Sequence, residues 1–226
     1  SSLLAPELLA AIAVTAYSYM SLVPIIQPPI MRLLTTQKER RIRMPYAPRP
    51  VPRVAVISFP IIVTILVGLL VPESAPLVAT LMLGSLLKES GVVPQLTKSA
   101  ENELTNISTL FLGLTIGSLM QAETFLQLQT LYILLLGLVA FVLDTVAGLF
   151  FGKLLSMATR GKVNPLVGAA GISAFPMSGR LVQKVAQEED FTNHVLMHAM
   201  GANTAGQLGS VIAGGVLLTL VTQILG

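Results

Sequence analysis

The chain has no cysteine, and histidine occurs only at His194 and His198. No disulfide framework, thiolate metal site or cysteine nucleophile is therefore available, and two imidazoles alone fall short of a zinc site. Charge is scarce as well: Asp, Glu, Lys and Arg make up 11 % of the 226 residues, against roughly 25 % in soluble domains. Hydrophobic residues reach 53 % and the mean hydropathy is +0.78, which selects the membrane class. A pI near 9.4 raises nucleic acid as a partner, but nucleic-acid binders spread Lys and Arg over a face with aromatics between them. Here the basic residues fall in short connectors between apolar runs, which argues against nucleic acid. No glycine-rich phosphate loop follows a strand, and neither a serine elbow nor a two-histidine metal helix is present, so a soluble hydrolase or nucleotide enzyme has no support. The opening SSLLAPELL lacks the basic region and cleavage site of a signal peptide. It reads as the middle of a longer protein, and the chain as a fragment.

What is present is a series of apolar runs, to be set against the about 20 helical residues that cross a hydrocarbon core about 30 Å thick. Residues 8–26 make a first span, expected to end at Pro28 and Pro29 because proline cannot continue a helix. Residues 54–70 make a second. The run 75–87 has 13 residues and is too short to cross alone, so it reads as a half-helix or re-entrant piece. Residues 104–120 form a weakly polar span, and 130–158 is long enough to cross with tilt and contains Asp144. The stretch 164–178 is again short, rich in Gly, Ala and Ser, and interrupted by Pro176. Residues 195–225 close the chain, but their first half is polar and Gly-rich, leaving only Ser210 onward as an ordinary span. The expected fold is an all-α polytopic membrane protein with discontinuous helices, a single membrane domain over residues 1–226 carrying a basic cytoplasmic connector at 32–53.

Charge placement tests these boundaries independently, because cytoplasmic connectors carry the Lys and Arg excess. The first connector holds Arg32, Lys38, Arg40, Arg41, Arg43, Arg49 and Arg53; the third holds Lys88 and Lys98; the fifth holds Arg160 and Lys162, with Lys153 just inside the adjoining helix end. The second and fourth carry Glu73 and Glu123 and no basic residue. Alternate connectors therefore lie on opposite sides, with the basic ones inside. Arg180 and Lys184 join the inside set only if residues 164–178 dip into the membrane and return. The Arg- and Pro-rich first connector suits a solvated topogenic loop, and equally a docking surface for a soluble partner or anionic lipid.

Four polar features stand at membrane depth, where unpaired polar groups are expensive and mark function. In NPLVGAAGISAFPMSGR, Asn164 and Pro165 read as N-cap and first helical residue, and Pro176 removes an amide donor and frees the carbonyl near Ile172. Irregular backbone at this depth survives only inside protein or against a water-filled cavity. Freed carbonyls, the Ser173 hydroxyl and the Asn164 amide are hard oxygen donors suited to sodium, as in the broken helices of transporters. The same residues also suit a close-packed kinked helix. Arg180, just behind the break, presents a planar fork for a carboxylate. The second feature, HAMGANTAGQLGS, repeats this grammar around Asn203 and Gln207, so the two segments are expected to face each other; small-residue helix packing explains it equally. Within it, His198 is either an interfacial histidine or a proton-transfer group. The third is Tyr17, Ser18 and Tyr19 inside the first span. Tyrosines two apart diverge by about 200°, so at least one is expected to find a polar interior partner. The fourth is Asp144, either an ion or proton carrier or the partner of a Ser, Thr or Asn on a neighbouring helix.

At these residues the sequence stops being generic. AYSYMSLVPIIQPPIMRLLTTQKER, NPLVGAAGISAFPMSGR and HAMGANTAGQLGS, with ESGVVPQL and NISTLFLGLTIG, resemble the signature blocks of the β subunits of the sodium-pumping biotin-dependent decarboxylases of oxaloacetate, glutaconyl-CoA and methylmalonyl-CoA. The resemblance covers most of the chain and is read as the C-terminal half of such a subunit. It implies one half of an inverted-repeat, transporter-like fold in the cell (inner) membrane, with sodium ion and carboxybiotin as its ligands. The implied activity is decarboxylation of carboxybiotin with uptake of a proton and export of sodium. The implied partners are a biotin carrier and carboxyltransferase subunit, a small membrane-anchoring subunit, the lipid bilayer and further copies of the chain in a homo-oligomer. Matching residues carry the roles: Asn164, Gly168, Ser173 and Asn203 for sodium, Arg180 and Ser173 for carboxybiotin, and Tyr17 and Tyr19 beside Arg180 in the chemistry. The family's membrane aspartate lies in a Gly-Asp-rich block upstream of the tyrosines that is not present here. A sodium-coupled carboxylate symporter would need the same donors and the same arginine, whereas a noncatalytic scaffold would tolerate loss of Arg180 or Ser173.

Overall fold

A computed structural model describes residues 8–44, 51–119, 126–172 and 174–225, and among these every regular element is helical. In chain order they are α1 (Leu9–Leu34), α2 (Gln37–Arg40), α3 (Arg53–Leu70), α4 (Ala75–Ser90), α5 (Pro94–Ser99), α6 (Thr105–Leu119), α7 (Leu128–Ala158), α8 (Met177–Glu189) and α9 (Leu196–Leu225). A 3-10 helix over Pro165–Gly171 precedes α8, and a π-helical turn over Ala100–Leu104 joins α5 to α6. Among the described residues four helices, α1, α3, α7 and α9, are long and apolar enough to cross a membrane. The all-α polytopic expectation therefore holds.

The boundaries depart from expectation in three places, each for a physical reason. Helix α1 does not stop at Pro28 and Pro29 but runs through Pro24, Pro28 and Pro29 to Leu34. Each proline removes one backbone hydrogen bond, yet in a membrane helix the neighbouring elements re-satisfy or cover the freed groups, and Pro28 is buried. The helix closes with the Thr35 amide on the Met31 carbonyl, after which Thr36 and Glu39 form a capping box that starts α2. Helix α9 is a single 30-residue helix, so its Gly-rich first half does not delay the span to Ser210. The segment from 164 to 190 is interrupted more widely than at Pro176 alone: the 3-10 helix ends at Gly171, and α8 begins only at Met177.

The chain divides into two compact units. The first comprises residues 1–47 and 120–207, and contains α1, α2, α7, the 3-10 helix, α8 and the first part of α9. Its core includes Val23, Met31, Leu149, Leu166, Val182 and Val195, all at most 1 % exposed. The second comprises residues 48–119 and 208–226. There α3 packs on α4 through Val67, Val78 and Met82, flanked by Leu208, Val211 and Ile212, and the Ser74 hydroxyl donates to the Val211 carbonyl at 2.7 Å.

Candidate cation and carboxylate site

Residues 164–193 form a hairpin whose two ends are pinned to the same place. Asn164 caps the 3-10 helix by accepting from the Leu166 amide at 3.0 Å, as its position before Pro165 predicts. Its Nδ2 donates to the carbonyls of Arg40 and Ile42 at 3.0 and 2.9 Å. Asn193, beyond the end of α8, donates to the same two carbonyls at 2.9 and 3.2 Å. The segment therefore leaves the first connector and comes back to it.

Ion pairs repeat this geometry. Three consecutive acids at the end of α8 meet three arginines of the first connector: Arg32 with Glu188, Arg40 with Glu189 and Arg43 with Asp190. Lys153 near the end of α7 lies 3.5 Å from Glu39. The first connector is thus not a freely solvated loop: Arg32, Arg40 and Arg43 are committed within the unit. Burial alone would raise the Glu39 carboxyl, but the Thr36 amide and hydroxyl and Lys153 outweigh it and hold Glu39 below the ordinary range. Bonds from the Thr192 hydroxyl and then Arg43 bring Asp190 down to about 2.

Inside the hairpin, α1 reaches both arms through Gln27, a fully buried amide. Its Nε2 lies 2.8 Å from the Ala169 carbonyl and 2.6 Å from the Ser178 hydroxyl, and that hydroxyl donates to the same carbonyl at 3.0 Å. A carbonyl can only accept, so the nitrogen must face the hairpin and Oε1 is turned away, buried and without a partner among the described residues. Asn203 on α9 repeats the arrangement. Its Nδ2 donates to the Ile172 carbonyl at 2.7 Å, at the break in the hairpin, and its Oδ1 is buried and without a partner among the described residues. Gln207, one turn further, also has an unpaired buried Oε1. Buried polar atoms are nearly always satisfied, and an exception calls for an explanation such as strain, a catalytic role, or a bound water or ion.

Glycine makes the approach of the backbones possible. A Cβ on Gly168 would strike the Gly148 carbonyl of α7, and one on Gly206 would strike the Gly171 carbonyl. The two small-residue segments thus face each other as their composition suggests. Arg180 lies in the first turn of α8 with its side chain exposed and no ion pair among the described residues. Tyr17 and Tyr19 diverge: Tyr17 is 42 % exposed, while the Tyr19 ring packs over Gly137 with its centroid 6.3 Å from that of Phe141. Neither hydroxyl finds the expected polar partner among the described residues. Tyr19 instead lines a cavity of about 570 Å³ that reaches Asp144, Ile172 and Ala174. Ser173 lies outside the described residues. Gln27 was not singled out from the sequence, although an amide between Pro24 and Pro28 in an otherwise apolar run is the signal that marks it.

A family model described as the Na+-transporting oxaloacetate decarboxylase beta subunit matches residues 1–221. Oxaloacetate decarboxylase beta chain 2 of Salmonella typhi is 53 % identical over 221 residues, 98 % of this chain and 51 % of that protein. A probable oxaloacetate decarboxylase beta chain of Pasteurella multocida is 54 % identical over 225 residues, covering 100 % of this chain and 52 % of that one. The methylmalonyl-CoA decarboxylase subunit beta of Propionigenium modestum is 53 % identical over 220 residues, 97 % and 55 % of the two chains. The chain spans about half the length of these curated relatives. With four membrane-capable helices it is a multi-pass protein of the cell membrane, and it belongs to the Na+-transporting oxaloacetate decarboxylase beta subunit family.

Proposed function

We propose that this chain is part of a membrane subunit that decarboxylates carboxybiotin, delivered by a biotin carrier, and couples the reaction to export of sodium. One observation supports this above the rest: a re-entrant hairpin whose Ala169 and Ile172 carbonyls are held by the amide nitrogens of Gln27 and Asn203, leaving both amide oxygens buried and unpaired. Hard oxygen atoms at an interrupted membrane helix are what a sodium ion needs. In this reading Asn203 and Gln27 supply carboxamide oxygens, Ser173 adds its hydroxyl, and Asn164 both caps the hairpin and contributes through the remaining lone pair of Oδ1. Gly168 lets the two backbones meet where no side chain fits.

Arg180 holds the carboxylate of carboxybiotin, since it combines an uncommitted guanidinium with the positive end of α8. In the reaction the bond from the ureido nitrogen to the carboxylate carbon breaks, carbon dioxide leaves, and that nitrogen takes a proton, with Tyr17 or Tyr19 assisting. Loss of the carboxylate leaves Arg180 and the bound cations less compensated, and repulsion at low dielectric favours sodium release. The biotin carrier with its carboxyltransferase subunit, the small anchoring subunit and a homo-oligomeric assembly complete the proposal. The test is carbon dioxide release from carboxybiotin by the intact complex as a function of sodium, repeated with Arg180→Ala and Ser173→Ala. Sodium-dependent release, lost in both variants, is expected. Sodium-dependent carboxylate uptake without carbon dioxide would instead identify a symporter, and full activity in both variants would make this region a scaffold.

A further inference from the structure

Asp144 is the one acidic side chain within the four membrane-capable helices among the described residues. It has no hydrogen bond or ion pair there, so the structural alternative of a Ser, Thr or Asn partner on a neighbouring helix finds no support among those residues. An ionisable group at membrane depth is costly and faces a protein interior or cavity rather than lipid. Asp144 lines the cavity described above. Its place on α7 ties it to the hairpin: Gly148, one turn later on the same face, is the residue whose carbonyl meets Gly168. One turn earlier, Phe141 carries the Tyr19 ring contact. Across the cavity stand Ile172 and Ala174, on either side of the hairpin break, and the Ile172 carbonyl is the one that Asn203 holds. The carboxyl therefore lies on the wall of a space that Ile172 and Ala174, beside the hairpin break, also line.

The donor set decides what Asp144 exchanges. Hard metal cations require a shell of several oxygens. Apart from Asp144 the lining is apolar among the described residues except for Tyr19, which is also the other titratable side chain among them, and no charged residue of α1, α7 or the hairpin shares it there. One carboxyl does not by itself complete a sodium shell there, but it can hold and release a proton at the cavity wall. We propose that Asp144 is a proton-loading carboxyl, taking a proton from the cavity and yielding it toward the hairpin break. This rests on the decarboxylation reading, in which each carbon dioxide released leaves a ureido nitrogen that must be protonated. Donation converts the acid to a carboxylate, and a proton from water entering the cavity restores it.

The experiment uses the intact complex in lipid vesicles, with wild type, Asp144→Asn and Asp144→Glu. Infrared difference spectra on acidification should show a carboxylic C=O band in wild type that shifts in Asp144→Glu and is missing in Asp144→Asn. Sodium-dependent decarboxylation should fall by about tenfold or more in Asp144→Asn, the low end of what a positioned proton-transfer group contributes. The half-saturating sodium concentration should stay unchanged. In Asp144→Glu a substantial rate should survive with a displaced pH profile, and this variant keeps the test open if Asp144→Asn does not assemble. Absence of the band, a wild-type rate in Asp144→Asn, or a raised sodium requirement at unchanged maximal rate would each overturn the assignment. A wild-type complex that releases no carbon dioxide overturns the decarboxylation reading instead, and is distinguished by that result alone.

Discussion

The two compact units differ in what their glycines meet: in one the closest approaches are to backbone carbonyls, in the other Gly215 meets the Ser74 and Val71 side chains. In the unit built on α3 and α4, Gly68, Gly84, Gly113 and Gly117 have no atom within 4 Å of where a Cβ would lie. The core there is a small apolar cluster around Val67, Val78 and Met82. In the unit that contains the hairpin, Gly148, Gly152, Gly168 and Gly206 each face a backbone carbonyl that would collide with a Cβ, and Gln27, Asn164, Ser178 and Asn203 are fully buried. Both units are built of helices, and being helical does not by itself separate them. What separates them is whether the backbone is brought close enough for its carbonyls to be held and exposed to a ligand. The proposed site accordingly lies in the unit that contains the hairpin.

The sharpest way to break this contrast is to add one methyl group to each unit. Gly168→Ala forces a Cβ into the Gly148 carbonyl and should cost about 3 kcal/mol or abolish folding, whereas Gly113→Ala should change stability by no more than about 0.5 kcal/mol. Thermal unfolding of the purified protein measures both. Equal effects would show that the close approach is not required. Next in size is the pin. Asn193→Leu removes one of the two amides that donate to the Arg40 and Ile42 carbonyls, leaving Asn164 on both, and should lower stability by about 2 kcal/mol, against about 1 kcal/mol for Ser74→Ala in the other unit.

Smaller effects belong to the ion pairs. Glu189→Gln should destabilise more than Glu188→Gln, because Arg40 and Glu189 are 9 % and 18 % exposed while Arg32 and Glu188 are 48 % and 37 % exposed. The exposed pair should contribute below about 1 kcal/mol and fade with salt. The smallest expected signal is from Asp190, whose depressed acidity makes its stabilisation complete above the ordinary Asp value near 3.9. That contribution disappears as pH falls through about 2. Asp190→Asn should flatten the unfolding profile within that acid window and lower stability by a small, constant amount at every pH above it.

Much of the site was legible in the sequence because its signals are local. Asn164 before Pro165 announces a cap, Pro176 announces a break that frees the Ile172 carbonyl, and the glycines around Asn203 announce close packing. Gln27 was not legible, because its partner Ala169 lies 142 positions away and nothing within α1 indicates where an amide between prolines will reach. The run of α1 through Pro28 and Pro29 escaped for a related reason: the rule that proline ends helices assumes exposed backbone, and here other elements cover it. The commitment of Arg32, Arg40 and Arg43 to the end of α8 likewise depends on partners 147 to 156 positions away. Charge alternation could assign their side of the membrane but not their neighbours.

The central claim is that buried amide oxygens around the hairpin bind sodium. Equilibrium binding of radioactive sodium to the purified full-length subunit, wild type against Asn203→Leu, tests it directly. The account predicts saturable binding that weakens by about tenfold or more in the variant, corresponding to about 1.4 kcal/mol. Saturable binding of equal affinity in both proteins would contradict it.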